Sequence, residues 1–485
     1  MFPSSDSVPD WVGQVASYWP DVSNTNLSSA RSGCIVTITL GSRVFLISFG
    51  LGHLKINKKE VVHDFGRRVA INAINPDTVK QVARQALEGS FIQAIESAAR
   101  SGSVYQFGID IERDLLQGIF GRCRKRAFGT AIGGATSLRI SVDGNLGAII
   151  DRLPIFFRLF SQKIRSPDFL WYERIKLVED VAEIAILDGA LDAHITAGGP
   201  QILMGLPQTL TGVDQICGFR FERGSAKRPA AQYPDPEFTD WVAWCTQKGL
   251  VISLATASSK SLFVDFQSGN EIPFPIAESI FWEYVKPSGQ SYIRHDGEWF
   301  EIDSHFVAEV KSFISAMAPT GLTLPKYTGG TEAIYNVALS GSIPSSSVLD
   351  GNNITIPGAK TAIEPCDVYS FDSTTKKGFL FFVKRKKVGS SGLTHLFSQM
   401  LAGVDSFFHR DHVFRTAMIS VFPNTGSGLG FRPTTRPEPR QWTIALVICD
   451  SKGTATLPFL SQVTLKRVVE SLRSRYDLTF RLEFV

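Results

Sequence analysis

The chain has 485 residues, 44% of them hydrophobic and 20% charged, an ordinary soluble composition in which core size is not limiting and two or three domains are expected. The formal net charge is only +4, yet residues 361–485 carry 17 Lys and Arg against 10 Asp and Glu, a local balance of +7 that leaves −3 for the remainder. A basic C-terminal third on a near-neutral body points to an anionic partner, with nucleic acid the commonest large one and a merely soluble, mildly basic surface as the alternative.

Six cysteines (Cys34, Cys123, Cys217, Cys245, Cys366 and Cys449) are scattered without a Cys-x-x-Cys pair. That argues against a zinc cluster or a disulfide framework and suits a reducing cytoplasm. No apolar run reaches the roughly 18–20 residues of a membrane helix. The start, MFPSSDSVPDW, lacks the basic-then-apolar order of a signal peptide, so none is expected.

In chain order, residues 1–30 are polar and read as a loose arm. Residues 34–40 and 44–49 are two β-rich runs around Gly41-Ser42, a hairpin pattern. Residues 77–101 read as a helix, with Val79, Val82, Ala86, Ile92, Ile95 and Ala98 at helical spacing. Residues 109–120 read as strand or helix, and 149–160 as a half-buried apolar stretch. Residues 186–320 lean towards β-structure. Within them YIRHDGEWFEI (292–302) predicts a hairpin, because Asp296-Gly297 supplies the positive φ angles of a tight I′ turn. A helix over 306–317 follows, and then the Pro- and Gly-rich 318–330, which marks a boundary. These breaks predict a 31–185 mixed α/β domain, a 186–325 β-rich domain and a 326–485 domain.

The last third has the clearest pattern. A short helix over 331–340 contains Glu332, and strands are predicted over 353–357, 362–371 and 378–386. The run Phe379–Val383 is apolar on both faces and therefore central to a sheet. Ser390 or Ser391 can cap a helix whose Leu393, Leu396, Phe397, Met400, Leu401, Val404, Phe407 and Phe408 share one face. A Pro/Gly/Arg loop over 423–440, a strand over 442–449, a helix over 464–475 and a strand over 478–485 complete the chain. The order is αβββαβ, then αβ.

Asp367 on one strand, Lys384 at the end of the next and a helix directly after form the skeleton that restriction-endonuclease-like, PD-(D/E)xK phosphodiesterases resemble. That class implies an acid and a lysine beside a divalent ion, with Mg²⁺ the ion that carboxylates and retained water suit. The acid normally two residues before the lysine is here Phe382. Glu332 is the better replacement ligand, with Glu364 the other available carboxylate. The expected catalytic set is therefore Asp367, Lys384, Glu332 and Gln399, with Asp367 and Glu332 on Mg²⁺. The alternative is an Asp367–Lys384 ion pair in a partly buried sheet. Lys384, Arg385, Lys386 and Lys387, with His395 one helical turn before Gln399, are the expected nucleic-acid contacts; a solvated strand end is the other reading. With Phe382 beside the site, metal binding is expected to be weak and to strengthen in Phe382→Glu or Phe382→His. His409-x-x-His412 reads as surface histidine, and Asp110 with Asp114 as an ordered loop junction. P-loop, His-Glu-x-x-His, Gly-x-Ser-x-Gly and dinucleotide-binding signatures are absent from the sequence.

The whole chain also resembles a "sporadically distributed" bacterial family of similar length and unknown function. The resemblance is carried by FLISFGLGH (45–53), VVHDFGRRVAINAIN (61–75), FGIDIERDLLQGIFG (107–121), YIRHDGEWFEID (292–303), EAIYN (332–336), SSVLDG (346–351), IEPCDV (363–368), FVKRKKVGSSGLTHLFSQ (382–399) and LPFLSQVTLKRVVESLR (457–473). It implies the patchy distribution seen for phage-defence genes, and it supplies no reaction. The family pattern usually has His at the Phe382 position and Gly at the Met400 position. Two functions are thus expected as alternatives: a metal-dependent nuclease of a defence system, or a catalytically decayed nuclease-like protein that binds nucleic acid as a sensor or adaptor. DNA is the more expected partner than RNA. A homo-oligomer or a defence-system partner protein is expected, and no membrane.

Overall fold

The computed structural model describes residues 11–24, 33–57, 60–86, 93–112, 114–199, 201–206, 215–224, 230–356, 362–385, 390–422, 428–450 and 456–485. The fold is α+β. The chain divides into two compact units, residues 1–86 with 93–173, and residues 174–485. Among the described residues no helix is long and apolar enough to cross a membrane.

In the first unit, Gly33–Leu40 and Arg43–Gly50 form the expected hairpin, with Gly41 at a left-handed φ of 60°. The expected loose arm contains a short helix, Trp11–Ala16, with Val12 and Val15 buried. The helix expected over 77–101 is instead two antiparallel strands, Ile74–Ala86 and Gln93–Gly102, in a five-stranded sheet. The reason is local. Pairing of Ile74–Ala86 with its neighbours shifts register between Val79 and Gln81 and again between Ala83 and Arg84. The first shift inserts Lys80 into this strand and turns a two-residue period into three there, whereas at the second the extra residue, Gln117, lies on the partner strand. Val79, Val82 and Gln85 are buried at a spacing that imitates a helix.

In the second unit, the region expected to lean towards β contains substantial helix: Val181–Thr196 and Phe238–Lys248 pack against two antiparallel sheets. The 291–302 hairpin forms as expected, and Asp296 and Gly297 take φ of 51° and 79°. Ser304–Ser315 is the helix that follows.

Residues 331–485 build a sheet sandwiched by helices. Its elements are α1 (Glu332–Ser342), β1 (Ser346–Val348), β2 (Val368–Asp372), β3 (Lys377–Arg385), α2 (Ser390–Phe408), β4 (Trp442–Cys449), α3 (Phe459–Arg475) and β5 (Thr479–Phe484). The strand order is β1-β2-β3-β4-β5. The first two pairings are antiparallel and the last two parallel. Alternation along β3 and β4 separates two cores. Leu380, Phe382, Ile444, Leu446 and Ile448 join α2 and α3 on one side. Phe381, Val383, Ala445 and Val447 meet Tyr335 and Leu339 of α1 on the other. Each fully buried phenylalanine here contributes about 2–3 kcal/mol of transfer free energy.

The strand expected over 362–371 is broken. Ala362–Ile363 pairs with Ile354–Thr355 in a separate two-stranded ribbon, and β2 begins only at Val368. Pro365, which lacks an N–H, lies in the break and cannot carry a ladder across it. The capping side chains expected at Ser390 or Ser391 lie outside the described residues.

Candidate functional site

Asp367 stands one residue before β2, at the end of the sheet where β3 finishes. Its N–H donates to the Phe381 carbonyl at 2.9 Å. Its own carbonyl is turned away from β3 and accepts N–H groups from Leu349 at 2.8 Å and Asp350 at 3.0 Å. The Val383 N–H donates to Oδ2 of Asp367 at 2.7 Å. The side chain thus takes the ladder position that a backbone carbonyl would fill, which fixes the carboxyl to the sheet.

That same arrangement brings in Asp350, which follows β1 in the turn Leu349-Asp350-Gly351. Gly351 sits at φ 73°, a conformation that costs other residues free energy, and its N–H donates to Oε1 of Glu364 at 2.7 Å. Glu364 follows the ribbon strand Ala362–Ile363. A Cβ added at Gly403 of α2 would lie 2.5 Å from the Pro365 carbonyl oxygen and 2.9 Å from that of Glu364. The missing side chain lets the helix press on this segment. One turn earlier on α2, Nε2 of Gln399 donates to Oε2 of Glu364 at 2.8 Å.

The outcome is that Asp350, Glu364 and Asp367, all half-buried, bring one carboxylate oxygen each to within 4.8 Å of one another. Burial pushes the Asp367 carboxyl up to about 8; the Val383 hydrogen bond opposes this, and the nearby charges of Glu364, Asp350 and Glu332 add to it. Glu364 is raised first by burial and further by Asp350, while the Gly351 N–H, Lys384 and His395 pull it back. Three acids held this closely favour either a shared proton or a cation.

A buried amide completes the group. Asn336 of α1 is fully buried and donates Nδ2 to Oδ2 of Asp350 at 2.9 Å, while its Oδ1 has no hydrogen-bond partner among the described residues. Carboxylates are the hard oxygen ligands that Mg²⁺ or Mn²⁺ takes. The residues present fit such an ion.

One turn before Asn336 on the same helix, Glu332 is engaged differently. Its Oε2 accepts from Nζ of Lys384 at 3.1 Å and its Oε1 from the backbone N–H of Arg385 at 3.0 Å. The Arg385 Nε lies 3.8 Å away, and Nη1 of Arg385 donates to the Gly330 carbonyl at 2.6 Å. Glu332 therefore stands on Lys384 rather than among the three converging acids, and Lys384 has Glu332, not Asp367, as its ion-pair partner among the described residues. Thr331 caps α1 by accepting the Ile334 N–H, which sets the first turn at the end of β3.

His395 is exposed on α2, near enough to Glu364 to favour its ionised form. Lys386 and Lys387 lie outside the described residues. Phe382, at 1% exposure, is closed with Leu380 into the core layer under α2. His409 and His412 make local bonds to the Asp411 N–H and the Thr416 hydroxyl. The Asp114 carboxylate accepts from Arg84 and from the Asp110 N–H, an ordered loop junction.

Sequence reasoning passed over Asp350 and Asn336. Both lie in stretches that carry the family resemblance, SSVLDG and EAIYN, but Asp-Gly reads as a turn and a lone Asn on a helix carries no signal of its own.

No curated protein and no solved structure matches the chain. The sequence profile of a family of unknown function, DUF6119, matches residues 1–485. On that end-to-end match, the chain belongs to the family of unknown function DUF6119.

Proposed function

We propose that the C-terminal sheet carries a metal-dependent phosphodiesterase site of restriction-endonuclease-like type, acting on nucleic acid, with DNA the favoured substrate. The observation that carries this reading is the convergence of Asp350, Glu364 and Asp367 at the end of the strand that presents Lys384. Mg²⁺ held by these carboxylates would supply Lewis-acid polarisation of the scissile phosphate. Asp367 must lose its proton to act as a ligand. Gln399 and the Gly351 N–H hold the two oxygens of Glu364 in place. Asn336 orients Asp350. Lys384 supplies a positive charge for the phosphate on the same side. The phage-defence setting is part of the proposal and rests on the family resemblance alone.

A second reading is favoured by two specific features: Phe382 is sealed in the core, and Lys384 is already paired with Glu332. In it the protein binds nucleic acid without cutting it, as a sensor or adaptor. Incubating purified protein with plasmid, single-stranded DNA and RNA in Mg²⁺ or Mn²⁺ separates the two. The nuclease reading expects metal-dependent cleavage that is lost in Asp367→Ala and Lys384→Ala. Cleavage undiminished in both variants overturns it. Salt-dependent binding with no cleavage and no metal-dependent stabilisation supports the binder.

A further inference from the structure

We infer that Lys384 and Arg385 form a seat for a phosphodiester group and that Glu332 is its built-in occupant, displaced when nucleic acid binds. The inference rests on the reading of this sheet end as the face that meets nucleic acid. It does not rest on cleavage or on a metal.

The geometry of Glu332 is that of a bound anion. Its two oxygens are split between two donors, Lys384 Nζ at 3.1 Å and the Arg385 backbone N–H at 3.0 Å. Two oxygens of one planar carboxylate bridging a charged side chain and a peptide N–H reproduce how the two non-bridging oxygens of a phosphodiester are held. Donor capacity is left over. Arg385 Nε is buried without a hydrogen-bond partner and points a further charge towards Glu332 at 3.8 Å. Lys384 has three donors and uses one of them on Glu332. A phosphate can take up those donors where a carboxylate does not.

The occupant is also free to leave. The Glu332 side chain keeps 28% of its surface in solvent, as does Lys384, so the pair is not locked in the core. Glu332 lies in the first turn of α1, where Thr331 already supplies the cap, so the helix does not depend on this carboxylate for its start. The seat adjoins the three acids, because the charge of Glu332 bears on Asp367. While Glu332 fills the seat, the chain resists non-specific anions. A polyanion, which releases counterions on binding, competes for the seat where single ions do not.

The test is binding of fluorescein-labelled duplex and single-stranded oligonucleotides, read by anisotropy in EDTA at low salt. Glu332→Gln is expected to bind at least ten times more tightly than the wild type. Glu332→Asp keeps the net charge but cannot span both donors, and is expected to tighten binding by a smaller factor, so the gain is not one of bulk charge. Lys384→Ala in the Glu332→Gln background is expected to cancel the gain. Equal affinity of wild type, Glu332→Gln and Glu332→Asp overturns the inference. So does a gain that survives Lys384→Ala, or an absence of binding by every variant. A protein that shows the gain yet never cleaves keeps the seat and loses the nuclease reading; one that cleaves with unchanged affinities loses the seat alone.

Discussion

Val383 donates its backbone N–H to Oδ2 of Asp367 at 2.7 Å, so the strand that carries Lys384 is joined to the acid through its Phe382–Val383 peptide. Any change in the protonation of Asp367 is therefore felt by β3. It is also felt by the Leu349–Gly351 turn, whose first two N–H groups sit on the Asp367 carbonyl.

The first prediction concerns pH. An aspartate in an unfolded chain titrates near ~3.9, whereas burial holds Asp367 at about 8. The folded protein thus binds this proton more tightly than the unfolded chain. Its stabilising contribution is fully present below about pH 4 and is lost as pH rises through 8. Glu364, also raised, acts in the same direction. In EDTA the wild-type Tm should fall between pH 5 and pH 9, and Asp367→Asn should flatten that fall. Thermal melts of both proteins across the range decide it, and parallel profiles would contradict the assignment.

Gly403→Ala should loosen the acid cluster from behind. The added methyl meets two backbone oxygens, of Pro365 at 2.5 Å and Glu364 at 2.9 Å, neither of which can swing aside as a side chain would. A destabilisation of about 1–3 kcal/mol is expected, typical of overpacking. Urea denaturation measures it. A variant as stable as the wild type would mean that α2 does not bear on the 364–365 segment.

Gln399→Leu removes the donor to Oε2 of Glu364 without a large change of volume. Loss of a group that orients a ligand usually costs about 10–100-fold in metal affinity. Titration calorimetry with Mn²⁺ should show a loss of that order while Tm in EDTA changes little. Unaltered affinity would separate Gln399 from the site.

Phe382→Glu should destabilise the domain by about 3 kcal/mol or more. It places an unpaired carboxylate at a core position that is 1% exposed. Phe382→Leu, which keeps the position apolar, should cost about half as much or less. Chemical denaturation of the two variants ranks them. A Phe382→Glu protein as stable as the wild type would show that the position opens onto the site after all.

The C-terminal sheet was legible because its signals are local. The apolar run Phe379–Val383 and the stripe from Leu393 to Phe408 each announce an element and its buried face. The first unit was less so: register irregularities along Ile74–Ala86 gave a strand the spacing of a helix, and such irregularities depend on neighbours far away in sequence. The site was half legible. Asp367, Lys384 and Gln399 could be named from strand order and helix position, but Glu332 was preferred to Glu364 as the second acid, and it stands on Lys384 instead. Their partners could not, because Asp350 reaches Asp367 through the backbone N–H bonds of a turn, and Asn336 reaches Asp350 across a helix–sheet packing that no spacing records.

The central claim is that Asp350, Glu364 and Asp367 hold a divalent cation. Isothermal titration of Mn²⁺ into the wild type, Asp350→Asn and Asp367→Asn, at a pH above 8 where Asp367 is ionised, tests it most directly. The account predicts one ion per chain in the wild type and loss of most of the affinity in each variant. No binding to the wild type, or equal affinity in all three proteins, would contradict it.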